Sequence, residues 1–206
     1  MAGLEKTKDG PHTWGDYQSW PVDERWEIIQ GEPFAMTPSP TSRHQKVVLK
    51  LATSLDRFLA LAGQCEVFPA PMDLKFSDAD VVQPDLFVIC DPKQNKGSHF
   101  EGPPRLIVEV LSASTAYHDR IRKLSLYARH GVQEVWLFTP FPSSVEVFFL
   151  SGDAYLLKFS YGKEETLESP SFPGLQIDLS TIFDFPVDPE EAVHLVKEGR
   201  PGYGQV

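Results

Sequence analysis

Apolar positions recur with two distinct periods along this 206-residue chain. A helical period runs through residues 41–62, where Val48, Leu51, Leu55 and Phe58 or Leu59 share one face. Thr41 or Ser42 caps this predicted helix and Gly63 stops it. The same period returns over residues 116–130, with Ser112-Ala113-Ser114-Thr115 as the cap and Gly131 as the stop. Short aliphatic or alternating runs predict strands at 25–30, 33–37, 65–69, 72–76, 81–90, 106–111 and 134–139. Gln30-Gly31-Glu32 turns the first pair, and Ser151-Gly152-Asp153 turns a hairpin of 145–150 with 155–161. The remainder reads as a short helix over 14–20, a rigid break at Pro38-Ser39-Pro40, polar segments at 77–80 and 91–104, a turn at Pro173-Gly174, and a last helix over 189–197.

The order helix, several strands, helix, strand predicts an α/β fold of the mixed α+β kind. Its central mixed sheet carries a helix on each face and extra strands at both ends of the chain. No repeat or low-complexity tract interrupts it, so one domain over 1–206 is expected, with 1–13 and 199–206 as flexible tails. The start is polar and lysine-bearing, and no apolar run reaches the length of a membrane span, which predicts a cytoplasmic protein away from membranes. Cys65 and Cys90 match no redox or zinc spacing and are expected as two reduced, buried thiols.

Charge qualifies the choice of partner. The net charge of −10 argues against tight non-specific binding of nucleic acid. Residues 41–130 nevertheless hold 12 Lys/Arg against 10 Asp/Glu, while the rest of the chain holds 7 against 19. The acid lies at the ends, and the central segment can carry a local basic groove.

That segment also carries the candidate chemistry. Glu109 interrupts the aliphatic run Leu106-Ile107-Val108-Glu109-Val110-Leu111, and an ionised carboxylate in a buried strand needs a cation or a proton. Asp85 opens a second apolar run after Pro84. Two strand-borne carboxylates suit magnesium or manganese, which take oxygen ligands and keep waters for substrate phosphate. The plainer alternatives are a turn-capping Asp85 and a Glu109 paired with Arg105, Arg120 or Arg122. Lys123 shares a helix flank with Asp119 and Tyr127; it either reaches the sheet end or pairs with Asp119 in solvent. His44 stands at a helix start, where an anion is favoured. Glu27, within Trp26-Glu27-Ile28-Ile29, is a further candidate whose default is an outward-facing acid. No phosphate-cradling glycine loop, HExxH or GxSxG is present.

Val82-Gln83-Pro84-Asp85, Ile107-Val108-Glu109-Val110-Leu111-Ser112, the stretch from Asp119 through Lys123 to Tyr127, and Gly131-Val132-Gln133-Glu134-Val135-Trp136 together resemble the Uma-two family. That family is a branch of the PD-(D/E)xK, restriction-endonuclease-like superfamily. Trp26-Glu27-Ile28-Ile29-Gln30-Gly31-Glu32 and His44 resemble its N-terminal signature, and the likeness runs over about residues 14–185. The resemblance implies a restriction-endonuclease-like core, a homodimer, and a magnesium- or manganese-dependent endonuclease acting on DNA. Asp85 and Glu109 would be metal ligands, Lys123 would orient water or phosphate, and His44 and Glu27 would assist. The superfamily lysine stands two residues after the acid, where this chain has Leu111. Either Lys123 replaces it from the next helix, or the fold serves as an inactive module binding nucleic acid or protein.

Overall fold

A computed structural model describes residues 10–21, 24–36, 41–63, 65–111 and 116–185, the side chains of 116–119 excepted. The expected caps at 112–115, the break at 38–40, the last helix over 189–197, the tail 199–206, most of the tail 1–13 and the side chain of Asp119 lie outside the described residues.

The chain opens with α1 (Trp14–Tyr17), β1 (Trp26–Ile29) and β2 (Glu32–Ala35). β1 and β2 pair antiparallel around Gln30-Gly31, whose positive φ angles of 54° and 76° make the tight turn. The long helix α2 (Ser42–Ala62) starts where Thr41 Oγ1 accepts the His44 N–H and stops at Gly63, which takes φ 68°. Its buried face is Val47, Leu51, Leu55 and Leu59, so Val47 replaces the expected Val48 at the centre and Val48 packs at the margin. Next come β3 (Glu66–Pro69), β4 (Asp73–Ser77), β5 (Asp80–Val82), β6 (Leu86–Ile89), β7 (His99–Glu101) and β8 (Leu106–Val110). Helix α3 (Ala116–Arg129) leads to β9 (Glu134–Thr139), the hairpin β10 (Ser144–Ser151) and β11 (Ala154–Gly162), the small pair β12 (Thr166–Glu168) and β13 (Gln176–Asp178), and α4 (Leu179–Ile182).

Six strands form one mixed sheet in the order β11-β10-β9-β8-β6-β3, in which only β8 and β9 run parallel. Five form a second mixed sheet, β2-β1-β5-β4-β7. The six-stranded sheet separates two apolar layers. Leu106, Val108 and Val110 of β8 face α2 and the C-terminal segment, whereas Ile107 faces the layer that holds Leu126 and Tyr127 of α3 together with Ile29, Leu74 and Val82 of the second sheet. Side chains alternate along a strand, so Glu109 falls on the α3 side.

Three expectations are corrected here. The single strand over 81–90 is two strands, β5 and β6, in different sheets; Gln83-Pro84-Asp85 carries the chain between them, where proline has no N–H for a ladder. The segment 91–104 is not all loop, because β7 adds in parallel to β4 with Phe100 as its one buried residue. The reduced thiols are also corrected. Antiparallel pairing of Glu66 with Ile89 sets residues 65 and 90 opposite each other, and Cys65 and Cys90 form a disulfide with their Cα atoms 4.1 Å apart. The cytoplasmic expectation thereby loses the support it drew from reduced thiols. Among the described residues no helix is long and apolar enough to cross a membrane.

Candidate functional site

The antiparallel register of β6 and β8 builds the site. Leu86 pairs with Val108 and Phe87 with Ile107, so Asp85 and Glu109 are the residues next beyond these pairs, near enough for the Asp85 charge to act on Glu109. Asp85 sits where the ladder ends, and its Oδ2 accepts the Val110 N–H at 2.7 Å. His44 Nε2 lies 3.2 Å from the same oxygen, brought there by the first turn of α2. Burial opposes a charge on the imidazole, but the hydrogen bond to Asp85 and the charges of Asp85 and Glu109 outweigh it and hold His44 above its ordinary value.

Glu109 is held from α3. Lys123 Nζ lies 3.2 Å from Glu109 Oε1, and the Tyr127 hydroxyl donates to that same oxygen at 2.5 Å. Lys123 and Tyr127 are four residues apart, one turn along the helix, which puts both over the strand. Lys123 also reaches Glu27 Oε1 at 2.9 Å, so one ammonium joins a carboxylate of the five-stranded sheet to one of the six-stranded sheet. Glu27 is steadied in turn by the Gln83 N–H at 3.0 Å. Gln83 is fixed by Arg25, which donates to its Oε1, and by Tyr17 and Asp73, which accept from its Nε2.

These groups perturb one another. Burial pushes the Glu109 carboxyl up to about 7; Lys123 works against that, while Asp85 and Glu27 add to it. Burial opposes the Lys123 charge, but Glu109 and Glu27 overcome it and hold the ammonium well above the usual lysine range. Burial and the neighbouring Glu109 hold the Tyr127 hydroxyl firmly protonated.

The five candidates from the sequence form two hydrogen-bonded groups, His44 with Asp85 and Lys123 with Glu109 and Glu27, near enough for the Asp85 charge to act on Glu109 and Lys123. Lys123 is not on a solvated flank: its side chain is only 13% exposed. Two of the arginines expected as partners are engaged elsewhere: Arg120 pairs with Glu146 at 2.6 Å and Arg122 lies 4.0 Å over the Phe34 ring. Glu27 faces inward, not outward. Tyr127 and Gln83 were missed as members. Tyr127 had a signal in its four-residue spacing from Lys123, whereas Gln83 had none beyond its place before Pro84.

A divalent cation is chemically suited to this pair of acids. The named contacts use Asp85 Oδ2 and Glu109 Oε1, and leave Asp85 Oδ1 and Glu109 Oε2 without a hydrogen bond from the described residues. Among the described residues no cluster of three or more His, Cys, Asp or Glu is arranged to hold a metal. Two carboxylates fit an ion that draws most of its shell from water and phosphate, and do not fit an ion that needs a full protein cage.

Comparison with known proteins places this arrangement in context. The profile of the Uma2 family, described as "Putative restriction endonuclease", matches residues 14–180. The uncharacterized protein slr1290 of Synechocystis sp. is 28% identical over 172 residues, which cover 82% of this chain and 89% of that one. The uncharacterized protein sll1609 of the same organism is 31% identical over 153 residues, covering 70% and 84%. Among solved structures, one described as a putative nuclease belonging to DUF820 from Anabaena variabilis superposes with a TM-score of 0.68 at 17% identity. The match covers 84% of this chain and 98% of that one, and it shows a shared fold. The mixed α+β architecture expected from the sequence is thus present, and it is the fold of that solved structure.

Proposed function

This chain belongs to the Uma2 family, and from that we propose that it is a metal-dependent endonuclease hydrolysing phosphodiester bonds in DNA. The observation that carries the reading is the position of Lys123. The superfamily lysine position holds Leu111, yet an ammonium reaches Glu109 from α3 instead. Relocation of the lysine accounts for both facts.

Hydrolysis of a phosphodiester needs a water placed in line with the leaving oxygen and positive charge against the phosphate as it becomes more negative. Lys123 supplies a fixed charge of that sign, locked in position by Glu27 and Glu109. Asp85 and Glu109 would hold magnesium or manganese, whose charge, when bound, adds Lewis-acid stabilisation of the phosphate oxygens. His44 and the Val110 N–H engage one oxygen of Asp85, which orients the carboxylate and, among the described residues, leaves its other oxygen for a ligand. Glu27 acts here through Lys123 and Gln83 and is not assigned as a metal ligand.

Plasmid cleavage in magnesium or manganese tests the reading. Wild type should nick or linearise DNA, and Glu109→Ala should not. A wild-type protein that cuts no nucleic acid with either metal would leave the alternative, a non-catalytic module on the same fold.

A further inference from the structure

Resting on that reading, we infer that Tyr127 is a positioning residue that selects which oxygen of Glu109 meets the cation. A glutamate carboxylate rotates readily about its last torsion, which has a broad, two-fold profile. Left to itself it would present either oxygen. Here two donors from one helix, the Tyr127 hydroxyl at 2.5 Å and Lys123 Nζ at 3.2 Å, both engage Oε1. Among the described residues that leaves Oε2 for any further ligand.

Tyr127 is built to hold this geometry. Its ring is fully buried and packs 6.0 Å from the Phe76 ring, centroid to centroid. Its backbone carbonyl accepts the Val132 N–H at 3.0 Å just beyond the end of α3. A phenol also suits the task chemically. It donates one directional hydrogen bond and leaves the carboxylate charge in place for a cation, whereas a second ammonium would cancel it. Lys123 is divided between Glu27 and Glu109, so it cannot by itself set the orientation of either.

The alternative is that Tyr127 only fills the core, and Tyr155 provides the control. Its hydroxyl donates to the Val132 carbonyl at 2.6 Å, on the same loop but away from the carboxylates. The experiment titrates manganese into the full-length wild type, Tyr127→Phe and Tyr155→Phe, followed by the electron paramagnetic resonance of the free ion. Melting temperature and plasmid cleavage are recorded in parallel. Loss of an outer-shell donor weakens metal binding about 10- to 100-fold. That loss is expected for Tyr127→Phe, with the manganese concentration needed for half-maximal cleavage raised by the same factor. Tyr155→Phe should melt lower and bind manganese as wild type does. Equal affinity in wild type and Tyr127→Phe overturns the inference alone, as does an equal loss of affinity in both variants. No binding by wild type overturns the metal-dependent reading and this inference with it.

Discussion

Two glutamates on neighbouring parallel strands are buried in the same sheet, and they are treated in opposite ways. Glu134, paired with Leu106 across β8 and β9, is fully enclosed. Its Oε1 accepts from Trp136 Nε1 at 2.6 Å and from Ser169 at 3.0 Å, and its Oε2 accepts from Ser169 and from the Ser171 N–H at 2.8 Å. Every donor is neutral and both oxygens are in use. Glu109 has a lysine and a tyrosine on one oxygen, two further carboxylates nearby, and a second oxygen that the described residues leave without a hydrogen bond. Burial of a carboxylate therefore does not mark a site. The mark is a carboxylate whose surroundings are charged and whose satisfaction is incomplete. Glu134 ties the segment after β12 to the sheet, and in the proposed reading Glu109 would receive a cation.

That contrast can be broken by substitution. The largest effect expected is on catalysis: Lys123→Met or Glu109→Gln should lower the rate of metal-dependent plasmid cleavage by about 10²- to 10³-fold, the usual cost of removing one preorganised charge-stabilising group. Glu134→Gln should leave the rate within several-fold. Stability should follow the reverse order. Glu134→Leu strands the Ser171 N–H, the Ser169 hydroxyl and the Trp136 indole, and should cost about 3 kcal/mol in urea unfolding, more than Glu109→Gln costs. A Glu109 substitution that destabilises as much as Glu134→Leu would make both residues structural.

Two smaller effects sharpen the picture. Reduction of the Cys65–Cys90 bridge, which spans 25 positions, should lower stability by about 3 kcal/mol on loop entropy alone while sparing cleavage, because Asp85 lies at the other end of β6. Thermal melts with and without dithiothreitol, compared with Cys65→Ser, check this. Manganese at about 100 times its dissociation constant should stabilise wild type by about 2.7 kcal/mol and leave Glu109→Gln unmoved.

Much of this arrangement is legible in the residues. The 3.6 period with Thr41 and Gly63 marks α2 closely, the alternation around Gly152 marks the β10–β11 hairpin, and the carboxylate inside an aliphatic run singles out Glu109. What escapes is set by contacts distant in sequence. The change of sheet at Gln83-Pro84-Asp85 depends on β5 joining β1 while β6 joins β8. The disulfide depends on the register of β3 against β6. Glu27 reads as an outward acid because alternation cannot reveal that both faces of β1 are covered. Glu134 opens an apolar run where Glu109 sits inside one, and the burial of both and the different donors around each follow from contacts distant in sequence.

The central claim is tested most directly by diffraction from crystals soaked in manganese, using the ion's anomalous signal. One peak bonded to oxygens of both Asp85 and Glu109, and lost in Glu109→Gln, is the result expected. A fully soaked crystal with no peak there, or with its peaks only on carboxylates elsewhere on the surface, would contradict the account.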